Sequence, residues 1–199
     1  MKRLLTFALL AASSLFLAGC LVRSSEPWLE TGKITAPSLA GSWQDAAQKM
    51  TVVFTAQGSN YQVRVVQEAK DTALFTAALF KLDENMLLVV GPAENKTLDA
   101  FVKMPVYLLF NAVLNGDTLQ LFTLNLDAAP LRFRASTLSR SFTGSKEQGF
   151  LLTAPTEELS AFVRSQLNTP DFFQAQALFT LKRMTPTGGV APVSGARTY

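Results

Sequence analysis

Apolar and polar residues alternate along two early segments of this chain. Apolar side chains occupy every second position of Met50–Thr55 and of Tyr61–Glu68, with Thr, Gln and Arg between them. A period of two predicts β-strands that expose one face to water. Ala73–Leu82 and Met86–Val90 are apolar at nearly every position. Short apolar runs of this kind, bounded by turn residues, predict strands that are covered on both faces.

A β-hairpin is predicted farther along the chain. Asn115 and Gly116 supply the two positive φ angles of a type I′ turn, which would join Val106–Leu114 to Thr118–Leu126. Leu131–Ala135 then alternates apolar residues with arginine and predicts a further strand.

The hydrophobic period changes near the C-terminal end. Leu159, Phe162, Val163 and Leu167 lie on one helical face, and Ala177–Met184 predicts a closing strand. Together these elements predict a mainly β fold: an antiparallel, about eight-stranded barrel or strongly curved sheet, with one C-terminal helix before the last strand.

The start of the folded region adds a family resemblance. Gly41, Ser42 and Trp43 resemble the Gly-x-Trp motif that begins the first strand of lipocalins. Lipocalins also carry an arginine that packs on this tryptophan, and the sequence does not show which residue would take that role. The resemblance implies a lipocalin-like barrel.

The first residues are typical of a secretory signal peptide. Lys2 and Arg3 precede an uncharged run over 4–17, and small residues stand before Cys20. The run is shorter than the roughly 20 apolar residues that a membrane-spanning helix needs.

The residues LAGC at 17–20 resemble the lipobox of bacterial lipoproteins. This resemblance implies cleavage between Gly19 and Cys20 and diacylation of the Cys20 thiol; an ordinary signal peptide with a chance cysteine is the alternative. Leu21 and Val22 follow, so the Asp that retains lipoproteins in the inner membrane is absent. The implied location is the outer membrane, facing the periplasm, if the host has one. The overall arrangement also resembles small envelope lipoproteins without an assigned activity.

These signals divide the chain into four parts. The parts are a signal peptide over 1–19, a lipidated flexible tether over 20–38, a single β-rich domain over 39–184 and a mobile tail over 185–199. Trp28 and Leu29 are apolar exceptions in the tether, and we expect them to dock on the domain or on the membrane surface.

Charge argues against a nucleic-acid partner. The chain has 18 Lys and Arg against 15 Asp and Glu, and removal of Lys2 and Arg3 leaves 16 against 15. A nucleic-acid-binding domain has a dense basic stripe. The expected partners are the membrane, through acyl chains on Cys20, and an envelope protein or lipid.

The residue types disfavour enzymatic chemistry. The chain has no histidine, which excludes Ser-His-Asp and Cys-His catalysis. Cys20 is its single cysteine and is expected to be acylated, so no thiolate is left for a zinc site. The acidic pairs Glu157–Glu158 and Asp83–Glu84 are explained by a helix start and a turn. We expect no catalytic residues, no metal and no cofactor.

Two groups of residues are candidate binding sites. An apolar cavity for a hydrophobic ligand would use aromatic residues on predicted strands, whereas a filled core is the simpler interpretation. Its candidate lining is Phe75, Phe80, Tyr107, Phe110, Phe122 and Phe133. A contact with an anionic partner would use a basic group, although scattered cations on a solvated strand and loop are the usual explanation. This group is Arg132, Arg134, Arg140 and Lys146.

The sequence therefore supports three classes of function. The first is a lipid-anchored, non-enzymatic binding or scaffold protein on the periplasmic face of the envelope. The second is a carrier of a small hydrophobic ligand or lipid in a barrel cavity. A hydrolase is a distant third.

Overall fold

The structure, a computed structural model, describes residues 21–67, 71–93 and 105–184. Gly19, Cys20 and the tail predicted over 185–199 lie outside the described residues. The strands of the described ranges are β1 (Val22–Ser24), β2 (Lys33–Ile34), β3 (Gly41–Asp45), β4 (Met50–Gln57), β5 (Asn60–Gln67), β6 (Asp71–Leu82), β7 (Asn85–Pro92), β8 (Tyr107–Asn115), β9 (Thr118–Thr123), β10 (Phe142–Ser145), β11 (Gly149–Leu152) and β12 (Phe179–Arg183). The helices are α1 (Ala129–Arg134) and α2 (Thr156–Gln166), with 3₁₀ turns at Pro37–Leu39 and Thr137–Arg140.

Within the described ranges, eight strands close into an antiparallel barrel. Strands β3 to β9 pair in sequence order, and β12 completes the ring by pairing with both β9 and β3. Closure satisfies the backbone hydrogen bonds that an open sheet would leave at its edges. The predicted mainly β fold, with a barrel and a helix before the last strand, is confirmed.

Four strands lie outside the ring and extend one side of it. Strand β1 pairs antiparallel with β8 and parallel with β11, which pairs in turn with β10. Strand β2 pairs with the end of β6. Strands β6 and β8 therefore have partners both within and outside the barrel.

The predicted hairpin is present, but its turn is shifted by one residue. Asn115 pairs with Thr118 at the end of the ladder, so Gly116 and Asp117 are the two central residues. Gly116 has φ +55°, whereas Asp117 lacks the positive φ that a type I′ turn requires at its second position. A positive φ at the first central glycine alone is typical of a type II′ turn.

The described residues form two hydrophobic cores that share the wall of the barrel. The inner core lies inside the barrel, and the outer core lies between the outward faces of β6 to β8 and the buried residues of 22–29 and 124–172. On β6, Ala77 and Leu79 belong to the inner core, and Phe80 and Leu82 to the outer core. This double coverage explains why the sequence of β6 is apolar on both faces.

The expectation of a flexible tether over 20–38 is wrong for residues 21–38. Val22–Ser24 forms β1, and Trp28 and Leu29 are buried in the outer core. The Trp28 indole N–H donates to the Tyr107 carbonyl at 3.2 Å, and the Ser160 hydroxyl donates to the Trp28 carbonyl at 3.2 Å. Burial of two large apolar side chains holds the segment against the barrel, although its residues lack any period.

The strand predicted over Leu131–Ala135 is also wrong, because the first four of these residues belong to α1 and Ala135 caps its C-terminal end. The helical turn starts at Asn125. Its side-chain oxygen accepts a hydrogen bond from the Asp127 N–H, and its backbone carbonyl accepts one from the Ala129 N–H. Phe133 is buried in the outer core, whereas Leu131 is 69% exposed. Two apolar residues at i and i+2 point to different sides of a helix, so their alternation did not mark a strand face.

Candidate functional site

An apolar cavity of about 230 Å³ lies inside the barrel. Its wall consists of apolar side chains from every barrel strand except β3. These side chains face inward because successive residues of a strand point to opposite faces of the sheet. Strand β4 supplies Met50 and Val52, and strand β12 supplies Phe179 and Leu181. The cavity is thus suited to an apolar group and offers no charge to a polar one.

One end of the barrel is covered by the segment that precedes β3. The Tyr61 hydroxyl donates to the Ala36 carbonyl at 3.0 Å and accepts from the Ala36 N–H at 2.8 Å. The Trp43 indole N–H donates to the Leu39 carbonyl at 2.9 Å, and Leu39 itself is buried in the inner core. These hydrogen bonds hold the segment across the barrel, and Tyr61, Trp43 and Leu39 fill the space beneath it.

Arg183, in the closing strand, packs on Trp43 in the opening strand. Its guanidinium carbon lies 4.2 Å from the centroid of the indole ring, and it donates to the carbonyls of Ala40, at 3.0 Å, and Ser38. The sequence offered no candidate for an arginine that packs on this tryptophan. Sequence separation explains the omission, because Trp43 and Arg183 are 140 positions apart and no local pattern connects them.

Position 41 requires glycine because its backbone has a positive φ and the Arg183 side chain passes close to it. Its φ is +130°, and a Cβ atom there would lie 2.8 Å from an Arg183 guanidinium nitrogen. A side chain at position 41 would therefore be strained and would displace the arginine. The Gly-x-Trp motif and Arg183 form one structural unit.

The cavity lies toward the opposite end of the barrel. Here the Asp45 carboxylate accepts from the N–H groups of Ala47 and Gln48 at 2.9 and 3.1 Å, which shapes the β3–β4 turn. The Gln48 side-chain amide donates to the Leu178 carbonyl at 3.3 Å and ties this turn to the start of β12. Two further connections at this end, 68–70 and 94–104, lie outside the described residues.

The structure brings together only part of the predicted aromatic lining. Phe75 and Phe110 line the cavity. Phe80 and Phe133 are buried in the outer core instead. Phe122 is half-buried on the face of β9 opposite to Leu121, which lines the cavity. The sequence pattern did not distinguish the two faces of strands that are covered on both sides.

Tyr107, the sixth predicted lining residue, lies outside the barrel. Its ring occupies the place of a side chain at Gly91 on the neighbouring strand, where a Cβ atom would be 2.4 Å from a ring carbon. Burial is the main factor that raises the pKa of the Tyr107 phenol above its ordinary value of 10.0, and the Glu26 carboxylate raises it further.

Tyr107 also borders a second pocket on the outside of the barrel, with a volume of about 450 Å³. Its wall mixes apolar groups with charged ones, including Glu30 and Lys33. The barrel cavity is the better candidate for a ligand site, because its wall has one chemical character and the barrel backbone holds it rigidly.

The four basic residues do not form one surface cluster. Arg132 donates to the Gln166 side chain and the Thr169 hydroxyl at 2.7 Å each, and it caps the end of α2. Lys146 forms an ion pair with Asp127, and Arg134 and Arg140 are exposed. Arg140 and Lys146 lie beyond opposite ends of β10.

The acidic pairs have structural positions. Glu157 and Glu158 occupy the first turn of α2, where negative charge complements the helix dipole. Asp83 adopts a positive φ of 51° in the β6–β7 turn and accepts a hydrogen bond from Asn168. Within 21–67, 71–93 and 105–184, no three potential metal ligands lie together.

A comparison with protein-family models, curated proteins and solved structures finds no match to this chain. Among the helices in the described part of the chain, none is both long and apolar enough to cross a membrane.

Proposed function

We propose that this protein binds a small hydrophobic ligand inside its barrel and is held on the periplasmic face of the envelope by acyl chains on Cys20. Its role is that of a carrier or binding protein without catalysis. The uniformly apolar wall of the barrel cavity carries the proposal. The scaffold role and the hydrolase alternative stay predictions from the sequence.

The size of the cavity indicates the class of ligand. An apolar cavity of about 150 Å³ stays dry and binds benzene, and drug-sized ligands occupy about 300 Å³ or more. A volume of about 230 Å³ therefore suits a short acyl chain or one substituted ring. A polar head on such a ligand would remain at the cavity end, because the wall offers no partner for it.

Titration with straight-chain alcohols of increasing length tests the cavity. The readout is the chemical shift of valine and leucine methyl groups in the chain that begins at Leu21. Each added CH₂ contributes about 0.8 kcal/mol, which is about fourfold in affinity, until the cavity is full. The affinity should then level off with length.

Val65 and Val66 provide a matched pair of variants. They are neighbours on β5 and both are half-buried, but Val65 lines the cavity and Val66 faces the other side of the strand. Val65→Phe should abolish alcohol binding, and Val66→Phe should retain it. Equal binding by the two variants, or no methyl shifts with any alcohol, contradicts the proposal.

The anchor has a separate test. Mass spectrometry of the membrane-extracted protein should show an acylated residue 20 at the amino terminus. Cys20→Ser should release the protein from the membrane fraction, and an unmodified Cys20 in the membrane-bound protein would contradict the anchor.

A further inference from the structure

The proposed acyl anchor would join the folded body almost directly. The Leu21 carbonyl accepts a hydrogen bond from the Phe150 N–H at 3.0 Å, and Val22 begins β1. Cys20 is therefore one residue away from a backbone held in the sheet, which is a reach of about 3.5 Å. If Cys20 carries the acyl chains, the surface beside Leu21 must lie against the lipid.

The β10–β11 turn lies beside Leu21 and is joined to the turn that precedes α1. Val22 pairs with Phe150, and Ser145 pairs with Gly149 across the β10–β11 turn, so residues 146–148 lie beside the start of β1. The ion pair between Lys146 and Asp127 then joins this turn to the helical segment over 125–134, which consists of α1 and the turn before it. A continuous set of contacts therefore leads from Leu21 to α1.

The outward face of this helical segment is exposed. Asp127, Leu131 and Arg134 occupy positions i, i+4 and i+7 and are exposed, whereas Phe133 on the opposite face is 1% exposed. Leu131 is 69% exposed, more than the other large apolar side chains exposed in the described part of the chain, Leu74 at 47% and Met184 at 42%. A leucine beside an arginine suits a membrane interface, where the leucine meets acyl chains and the arginine meets lipid phosphates.

We propose that the surface formed by Leu131, Arg134 and the turn at 146–148 rests on the lipid bilayer that holds the Cys20 anchor. This inference depends on the acyl anchor of the proposed function. The expected occupant is lipid, because this surface is connected to Leu21, where the chain continues into the anchor residue.

Labelling at single introduced cysteines tests the surface. Acylation of Cys20 would leave Leu131→Cys as the free thiol, and Leu74→Cys on β6 provides a control at another exposed leucine. Each variant of the lipidated protein is labelled with an environment-sensitive fluorophore and reconstituted in vesicles of phosphatidylethanolamine and phosphatidylglycerol. Circular dichroism checks that both variants fold.

The label at 131 should be quenched several-fold more strongly by spin-labelled lipid than the label at 74, and iodide should show the reverse order. Equal quenching by lipid at both positions, in protein that floats with the vesicles, overturns the proposal. A label at 131 that is shielded from both quenchers overturns it as well, because a protein would then cover the surface. Protein that does not float refutes the anchor itself, and the proposal with it.

Discussion

Replacement of Trp28 by alanine should strongly destabilise the protein. Trp28 lies in the segment whose sequence predicts a tether, but its side chain is 0% exposed in the outer core. Its indole N–H donates to the Tyr107 carbonyl, so the side chain contributes both burial and a hydrogen bond. The variant therefore distinguishes a segment that belongs to the fold from one that only connects it to an anchor.

The expected loss follows from these two contacts. Truncation of a buried Trp or Phe to alanine costs about 3–5 kcal/mol. Loss of the indole donor adds about 1 kcal/mol, for a total of about 4–6 kcal/mol. Domains of this size are stable by about 5–15 kcal/mol, so Trp28→Ala removes a large part of the free energy of unfolding. Trp28→Phe keeps most of the apolar contact and should cost about 1–2 kcal/mol.

Urea unfolding of the chain that begins at Leu21, followed by circular dichroism, measures these values. The midpoint should fall in the order wild type, Trp28→Phe, Trp28→Ala, with an unchanged slope. Glu30→Ala is the control, because Glu30 is exposed in the same segment and should change the stability by less than about 0.5 kcal/mol. A change in Trp28→Ala as small as that of the control would refute the assignment of this segment to the fold.

Three further predictions concern arginine and tyrosine contacts. Arg183→Met removes the cation over Trp43 and the hydrogen bonds to two carbonyls, and it should lower the free energy of unfolding by about 2–4 kcal/mol in urea titrations; an unchanged midpoint would contradict this role. Arg132→Met should cost about 1–3 kcal/mol without altering affinity for anionic vesicles, because Arg132 caps α2; weaker vesicle binding at unchanged stability would show the opposite. The raised pKa of Tyr107 means that its contribution is present below the ordinary value of 10.0 and is lost as pH rises through the folded-state pKa. Tyr107→Phe should therefore lose less stability than wild type between pH 9 and 11, roughly the range around that ordinary pKa, and parallel losses would disprove it.

Local patterns in the sequence were sufficient to predict most strands of the barrel. The alternation in β4 and β5, the apolar runs of β6 and β7 and the Asn115-Gly116 turn signal each act between residues close in the chain. The helix α2 also follows from its 3.6-residue period, with Leu159, Phe162 and Val163 buried on one face. The failure at α1 has a local cause as well, because six residues are too few to distinguish the two periods.

The sequence predicted only part of the candidate site. Strands covered on both faces carry apolar residues everywhere, so their sequence does not show which aromatic ring enters the barrel. Phe75 and Phe110 line the cavity, whereas Phe80 and Phe133 belong to the outer core. The choice between the two faces depends on what packs outside the barrel.

The amino-acid sequence was enough to predict a mainly β fold with an antiparallel barrel or strongly curved sheet, because its strands and turns reflect interactions over a few residues. The contact of Trp28 with Tyr107, the contact of Arg183 with Trp43 and the cavity each depend on residues that are distant in the chain. Their positions follow from closure of the ring and from the second layer that packs on it. No periodicity in a single segment carries that information, because burial and contact at these sites are properties of two segments at once.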